Sequence, residues 1–289
     1  MNTIKRVAQL RAAVTSAKQA KKRIAFVPTM GNLHQGHLDL VHRAKQEGDF
    51  VIVSIYVNPL QFGENEDLSN YPRTEKEDAH LLANLDVDVL FLPDENAMYP
   101  GGDIAEQTIV DIPTLSPLYC GQQRPIHFRG VTTVVARLFN IVQPEVAVFG
   151  KKDFQQLFLI KKMVNDLAFP IEIAGVETAR EESGLAMSSR NGYLTKTQFK
   201  KAVGLRKTII SLAKEVEELA QKKLFKTSLQ KLTKQAYKNL EKAGFEPHYI
   251  HILSRSTLLE PEKDEKELVI LAAGQIGKAR LLDNLEVNL

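Results

Sequence analysis

Alternation constrains this chain most. Through its first part, short apolar runs are followed repeatedly by segments of helical period. Strands are predicted at Ile24–Val27, Phe50–Val57, Val87–Leu92, Ile109–Asp111, Val146–Phe149 and Ile171–Val176. Helical patterns fall between them, at Leu38–Gln46, Thr74–Asn84, Gly130–Ile141 and Phe154–Leu167. Several strands are unbroken apolar runs, as expected of strands buried on both faces. Strand–helix repetition of this kind predicts an α/β fold, a Rossmann-like parallel sheet flanked by helices. Ligands of such sheets bind beyond the carboxyl ends of the strands. His34, Asn58, Gln61 and Lys152 all follow predicted strand ends.

The character changes after about residue 180, which divides the chain into a Rossmann-like domain, 1–180, and a smaller α+β C-terminal domain, 181–289, read as a lid. Thr195 and Gln198 form a capping-box signature before a long helix reaching about Lys223, and Thr227 and Gln230 repeat it before a second helix that Gly244 ends. Short strands follow near His248–Leu253, Leu268–Ala273 and Ala279–Leu282. The lysines at 222, 223, 226, 231, 234, 238 and 242 read as solvated helix faces.

Composition removes several classes of function. Among 289 residues, 44% are apolar and 25% charged, the balance of a globular protein. A formal net charge of +3 is too small to call for a nucleic-acid partner. No apolar run approaches the roughly 20 residues of a membrane helix. A single cysteine, Cys120, forms no intrachain disulfide and suits a reducing, cytoplasmic compartment. Before Asp39 every charged residue is basic, which imitates a transit peptide. The favoured reading is a built-in helix, because Val7, Leu10, Val14 and Ala17 form a stripe that leads into the strand at Ile24.

Three polar segments carry chemistry. In Pro28-Thr29-Met30-Gly31-Asn32-Leu33-His34-Gln35-Gly36-His37, two glycines and two imidazoles sit where a buried strand turns into a helix. Helix N-termini attract phosphate, glycine allows close backbone approach, and imidazoles donate hydrogen bonds to phosphoryl oxygens. Metal ligation by the two histidines lacks a third ligand nearby, while plain capping of a loop stays open as a structural reading. Gly150-Lys151-Lys152-Asp153 follows the strand at Val146, suiting a polyphosphate and its magnesium-bound water or ordinary turn chemistry. Met187-Ser188-Ser189-Arg190-Asn191 suits triphosphate gripping or a polar linker. No G-x-G-x-x-G follows the first predicted strand, and Gly274-Gln275-Ile276-Gly277-Lys278-Ala279 lacks P-loop spacing and reads as a turn between strands.

His34-x-Gly36-His37 resembles the HxGH signature of the nucleotidyltransferase and class I aminoacyl-tRNA synthetase superfamily, and Met187–Arg190 resembles its KMSKS-like loop. Within it the chain resembles the pantothenate synthetase (pantoate–β-alanine ligase) family, through Pro28–His34, Val57–Gly63, Tyr71–Thr74, Phe149–Leu157, Gly184–Asn191 and Arg280–Asn284. The resemblance implies condensation of (R)-pantoate with β-alanine through a pantoyl adenylate, using ATP and Mg²⁺ and releasing AMP and diphosphate. It implies catalysis by His37 and His34. The implied ATP contacts are Met30 through His37, Gly150, Lys151, Lys152, Asp153, Ala179, Met187, Ser188, Ser189 and Arg190. Gln61 and Gln156 are implied to bind pantoate, with Asn58, Tyr71, Arg124 and His127 as neighbours and Asp78 near the magnesium; the metal ligands themselves are unassigned. A homodimer is also implied. Lys151 stands where many relatives have Glu, and Ala179 where relatives often have Val. A superfamily nucleotidyltransferase acting on a phosphate acceptor is the alternative, and the neutral glutamine pair argues against it.

Overall fold

The computed structural model describes residues 1–64, 66, 68–101, 106–221 and 226–289. Two compact units are present: Met1–Lys151 with Gln156–Glu177, and Lys152–Gln155 with Thr178–Leu289.

The first unit is built on six parallel strands, β1 (Asn2–Ile4), β2 (Ile24–Thr29), β3 (Phe50–Ile55), β4 (Val89–Phe91), β5 (Val146–Gly150) and β6 (Glu172–Val176), in the order β1-β4-β3-β2-β5-β6. Ile24, Ala25, Phe26 and Val27 are all fully buried, which is why β2 is an unbroken apolar run. The connections are α1 (Val7–Gln19), α2 (Gln35–Glu47), α3 (Glu75–Asn84), the single turns α4 (Glu95–Met98) and α5 (Cys120–Gln123), α6 (His127–Val142) and α7 (Phe154–Asp166). Strand order reverses at β2, which pairs with β3 on one side and β5 on the other. That reversal opens the crevice where α/β sheets of this type take their ligands.

Two expectations change here. Asn2–Ile4 forms an edge strand against β4 that three residues with one apolar side chain do not announce. Ile109–Asp111 is no strand: the Val110 N–H donates to Thr133 Oγ1 (2.9 Å), and the hydroxyl of Thr132 donates to its carbonyl (2.5 Å). Threonines of α6 thereby satisfy the backbone groups that a neighbouring strand would otherwise hold. The N-terminal stripe is built in as expected, with Leu10, Val14 and Ala17 buried and α1 packed on α6.

The second unit holds an antiparallel sheet, β7 (Glu246–Ser254), β8 (Glu267–Ile276) and β9 (Ala279–Asn288), with α8 (Lys196–Ala220) on β8 and β9 and α9 (Lys226–Lys242) on β7. Gln198 N–H donates to Thr195 Oγ1 (3.3 Å) while Thr195 N–H donates to Gln198 Oε1 (2.9 Å), so the capping box starts α8 as the sequence indicates. Lys222, Lys223 and the side chains of Lys226 and Thr227 lie outside the described residues. Gly277 and Lys278 make the turn between β8 and β9. β9 runs six residues beyond its expected end at Leu282, because the buried Asp283 interrupts its apolar pattern. Among the described residues, no helix is long and apolar enough to cross a membrane.

Candidate active site

The histidine turn begins where β2 ends, at the reversal of strand order. Thr29 Oγ1 donates to Ser54 O of β3 (2.8 Å) and accepts from the Gly31 N–H (3.2 Å). Gly31 (φ +82°) and Asn32 (φ +52°) then both take the left-handed conformation. Asp78 of α3, 2% exposed, accepts from the N–H groups of Asn32 (2.9 Å) and Leu33 (2.8 Å) and from the Thr74 hydroxyl (3.1 Å). A Cβ at Gly31 would lie 3.0 Å from both Asp78 Oδ2 and Ile55 Cγ2, so shape and conformation together require glycine.

His34 caps α2. Its Nδ1 accepts from Gly36 N–H (3.1 Å), and His37 Nδ1 accepts from His34 N–H (3.2 Å), with the ring centroids 4.2 Å apart. An Nδ1 that accepts a backbone hydrogen carries no proton, so both rings are neutral with the proton on Nε2. The expectation of open backbone N–H groups at this helix start therefore changes. Gly36 and His37 N–H are already paired, the latter with His34 O at 2.8 Å. The donors that the turn brings to an anion are imidazole Nε2–H groups, backed by the helix dipole.

Gln61 stands in a 3-10 turn, Pro59–Gln61, just beyond β3. It is 5% exposed, and its amide donates to Met30 Sδ (3.0 Å) and accepts from Asn58 Nδ2 (3.3 Å). Asn58 Oδ1 accepts in turn from the Tyr99 hydroxyl (2.8 Å). Burial, opposed by the Arg137 guanidinium and aided by Glu95, pushes the Tyr99 hydroxyl above the usual phenol range, so it remains a donor. The Gln61 carbonyl accepts from His127 Nδ1 (3.0 Å), while His127 Nε2 accepts from Arg124 Nη1 (3.0 Å) and Arg124 Nε donates to Glu66 (2.9 Å). Four of the residues placed near pantoate by resemblance, Asn58, Gln61, Arg124 and His127, thus form one network. Tyr71 packs edge-on to Phe62, and Gln156 is half-buried in the first turn of α7.

In the second unit, Met187 N–H donates to Ala179 O (2.9 Å) and Arg180 bridges to Ala186, so residues 179–187 form a hairpin. Ser188 follows it and accepts from Arg190 N–H (3.2 Å). Lys152, Asp153, Ser188 and Arg190 line one cleft with Arg206 and Arg280. Two segments far apart in sequence and both expected at a polyphosphate are therefore neighbours. Arg206 escaped the sequence reading because a lone arginine in an amphipathic helix has no distinguishing pattern. Lys151 pairs with Glu177 of its own unit. Asp78, which the resemblance places near the metal, accepts from three donors through its two oxygens.

A doubly wound, all-parallel sheet with a paired-imidazole turn at its reversal defines a Rossmann-like α/β protein whose ligand crevice lies at the strand ends. A model of the pantoate-beta-alanine ligase family matches residues 2–286. The chain is 49% identical over 285 residues to a pantothenate synthetase of Shewanella loihica, covering 99% of this chain and 98% of that protein. It is similar in structure to a pantothenate synthetase of Thermus thermophilus, with TM-score 0.89, 43% identity and full coverage of both chains. A Francisella tularensis pantoate-beta-alanine ligase, complexed with beta-gamma ATP and beta-alanine, aligns with TM-score 0.75 and 35% identity over 99% of this chain and 97% of that one. The chain belongs to the pantoate–β-alanine ligase family, and it is a ligase that joins pantoate to β-alanine in pantothenate biosynthesis.

Proposed function

We propose that ligation runs in two steps on ATP. The (R)-pantoate carboxylate attacks the α-phosphorus, forming pantoyl adenylate and releasing diphosphate. The amine of β-alanine then attacks the acyl carbon and expels AMP. Adenylation is needed because a carboxylate has no adequate leaving group. The observation that carries this reading is the pair of neutral imidazoles fixed at the end of β2 with both Nδ1 atoms engaged. Each offers an Nε2–H to phosphoryl oxygens as charge develops, which is electrostatic stabilisation by a preorganised donor. Attack by a carboxylate releases no proton, and a neutral imidazole that surrendered Nε2–H would become an anion. His37 therefore acts as a hydrogen-bond donor throughout, with His34 beside it.

Met30 through His37, Gly150–Asp153, Ala179 and Met187–Arg190 contact ATP in this reading. Gln61 and Gln156 bind the hydroxyls and carboxylate of pantoate as donor and acceptor, and Gln61 also meets β-alanine. The relative complexed with beta-gamma ATP and beta-alanine supports both ligands for this chain. Mg²⁺ binds proteins through one or two carboxylates plus substrate phosphates. Asp153, in the cleft with Lys152, fits one such contact, and the metal would neutralise charge on the triphosphate. The enzyme acts in the cytoplasm as a homodimer, and sedimentation velocity tests the association state.

The decisive assay incubates the pure protein with ATP, Mg²⁺, pantoate and β-alanine. AMP is expected only with both acids present, and pantoate alone should support exchange of labelled diphosphate into ATP. Steady AMP formation without exchange would sink the adenylate step.

A further inference from the structure

Asp283 and Asn284 put two polar side chains side by side on β9, 4% and 8% exposed. Each reaches a different segment of the same unit. Asn284 Nδ2–H donates to the carbonyl of Lys152 (2.8 Å), within the 3-10 turn Lys151–Asp153. Asp283 accepts both arms of Arg180 (2.8 and 3.0 Å), and Arg180 Nη1 also donates to Gly184 O (3.2 Å). Arg180 opens the hairpin that delivers Ser188 and Arg190. The two anchors are themselves tied: Asn284 N–H donates to Asp283 Oδ1 (2.8 Å), and Arg206 Nη1 donates to Asn284 O (3.0 Å).

We propose that Asp283 and Asn284 are positioning residues of the nucleotide site. From adjacent places on one strand they fasten the Lys152 turn and the 179–187 hairpin that leads into Ser188–Arg190, and so fix the spacing of the groups that receive the triphosphate. The proposal rests on the reading of Lys152 and Ser188–Arg190 as ATP contacts. Its physical basis is preorganisation. A polyanion gripped by a lysine on a turn and hydroxyls on a hairpin must order both segments on binding, and anchoring them beforehand removes that cost. Stability alone does not ask for this pair, since well-packed apolar residues stabilise a core as well as a buried ion pair does.

The test measures binding of a β,γ-non-hydrolysable ATP analogue by calorimetry, with steady-state kinetics for each substrate. Asn284→Ala removes the donor, and Asn284→Leu removes it at nearly constant side-chain size without adding a charge. Both are expected to weaken the analogue about tenfold, the worth of one buried hydrogen bond with its partner left unpaired. The KM values for pantoate and β-alanine should stay within about twofold, a difference below the energy of one hydrogen bond. Arg180→Lys, which keeps the charge and loses the fork, should weaken the analogue without moving the other two. Unchanged analogue affinity in both Asn284 variants overturns the proposal, as does an equal loss for all three substrates alongside a lowered melting temperature. Lys152→Ala and Ser188→Ala separate the two levels. If they weaken the analogue and the Asn284 variants do not, only the anchor fails; if they also leave it unchanged, the nucleotide reading fails and the anchor falls with it.

Discussion

A neutral imidazole with its Nδ1 engaged acts through its Nε2–H donor, so truncation at His37 should remove one hydrogen bond from the transition state and also release the His34 N–H that its Nδ1 accepts. His37→Ala is expected to lower kcat by about 10²-fold, roughly 3 kcal/mol for one oxyanion-type donor, with a smaller change in the KM for ATP. A wild-type exchange rate in that variant would contradict the role. Asp78 works one step behind. Asp78→Asn keeps the shape but turns an amide N–H toward backbone donors, leaving one unpaired at about 1–3 kcal/mol. We expect a lowered melting temperature together with a lowered kcat, because the same turn carries His34 and His37; unchanged kinetics in a destabilised variant would make Asp78 purely structural. The histidines were legible from the sequence because two imidazoles and two glycines cluster between Gly31 and His37, directly after a strand end. Asp78 was legible only through the resemblance, as a neighbour of the magnesium. Its work lies in accepting the N–H groups of Asn32 and Leu33, 46 and 45 positions away, a contact made by the β3–α3 crossover. The same holds for His127 and Arg124, whose service to the Gln61 carbonyl spans 66 and 63 positions.

Elements meet where side chains are absent. α6 packs on the Pro59–Gln61 turn at Gly130, where a Cβ would lie 2.3 Å from Leu60 O, and Asn58 Nδ2 donates to the Gly130 carbonyl (3.1 Å). A backbone carbonyl has no rotamer with which to give way. Gly130→Ala should therefore displace the turn carrying Gln61, costing about 1–3 kcal/mol as overpacking does and raising the KM for pantoate more than that for ATP. Urea denaturation and substrate titrations read the two effects separately, and a variant with wild-type values in both would show the contact to be slack. This coupling explains what the sequence reveals about elements and what it hides. β2, β3 and β5 are visible as apolar runs because helical layers bury both faces. β1 is hidden because three edge residues need almost no apolar signature. Ile109–Asp111 imitates a strand because threonines of α6 supply the hydrogen bonds a strand would. β9 is foreshortened because Asp283 occupies an inward position, held there by Arg180.

Across the whole molecule, the core under α8 and α9 forms a cluster separate from that around β2 and β3. Separate cores among the described residues weaken the case for a single all-or-none transition, and the second unit carries two histidines whose protonation burial disfavours. Burial lowers the pKa of His251, which stacks on Tyr249, below its ordinary 6.5. Burial also lowers His248, with the Arg280 guanidinium adding to it and Glu246 opposing. A histidine whose folded value is depressed binds its proton more weakly in the native state than in the unfolded chain. Its contribution to stability is full above pH 6.5, where neither state is protonated, and is lost as pH falls through the folded value. Calorimetric melts from about pH 7.5 to about pH 5.5 should therefore show the second unit losing stability with acid. His251→Gln, which retains polarity and removes the titration, should flatten that slope while leaving Lys152, Ser188 and Arg190 untouched. Equal slopes in the variant and the parent protein would assign the acid sensitivity to other groups and leave His251 a packed, silent ring.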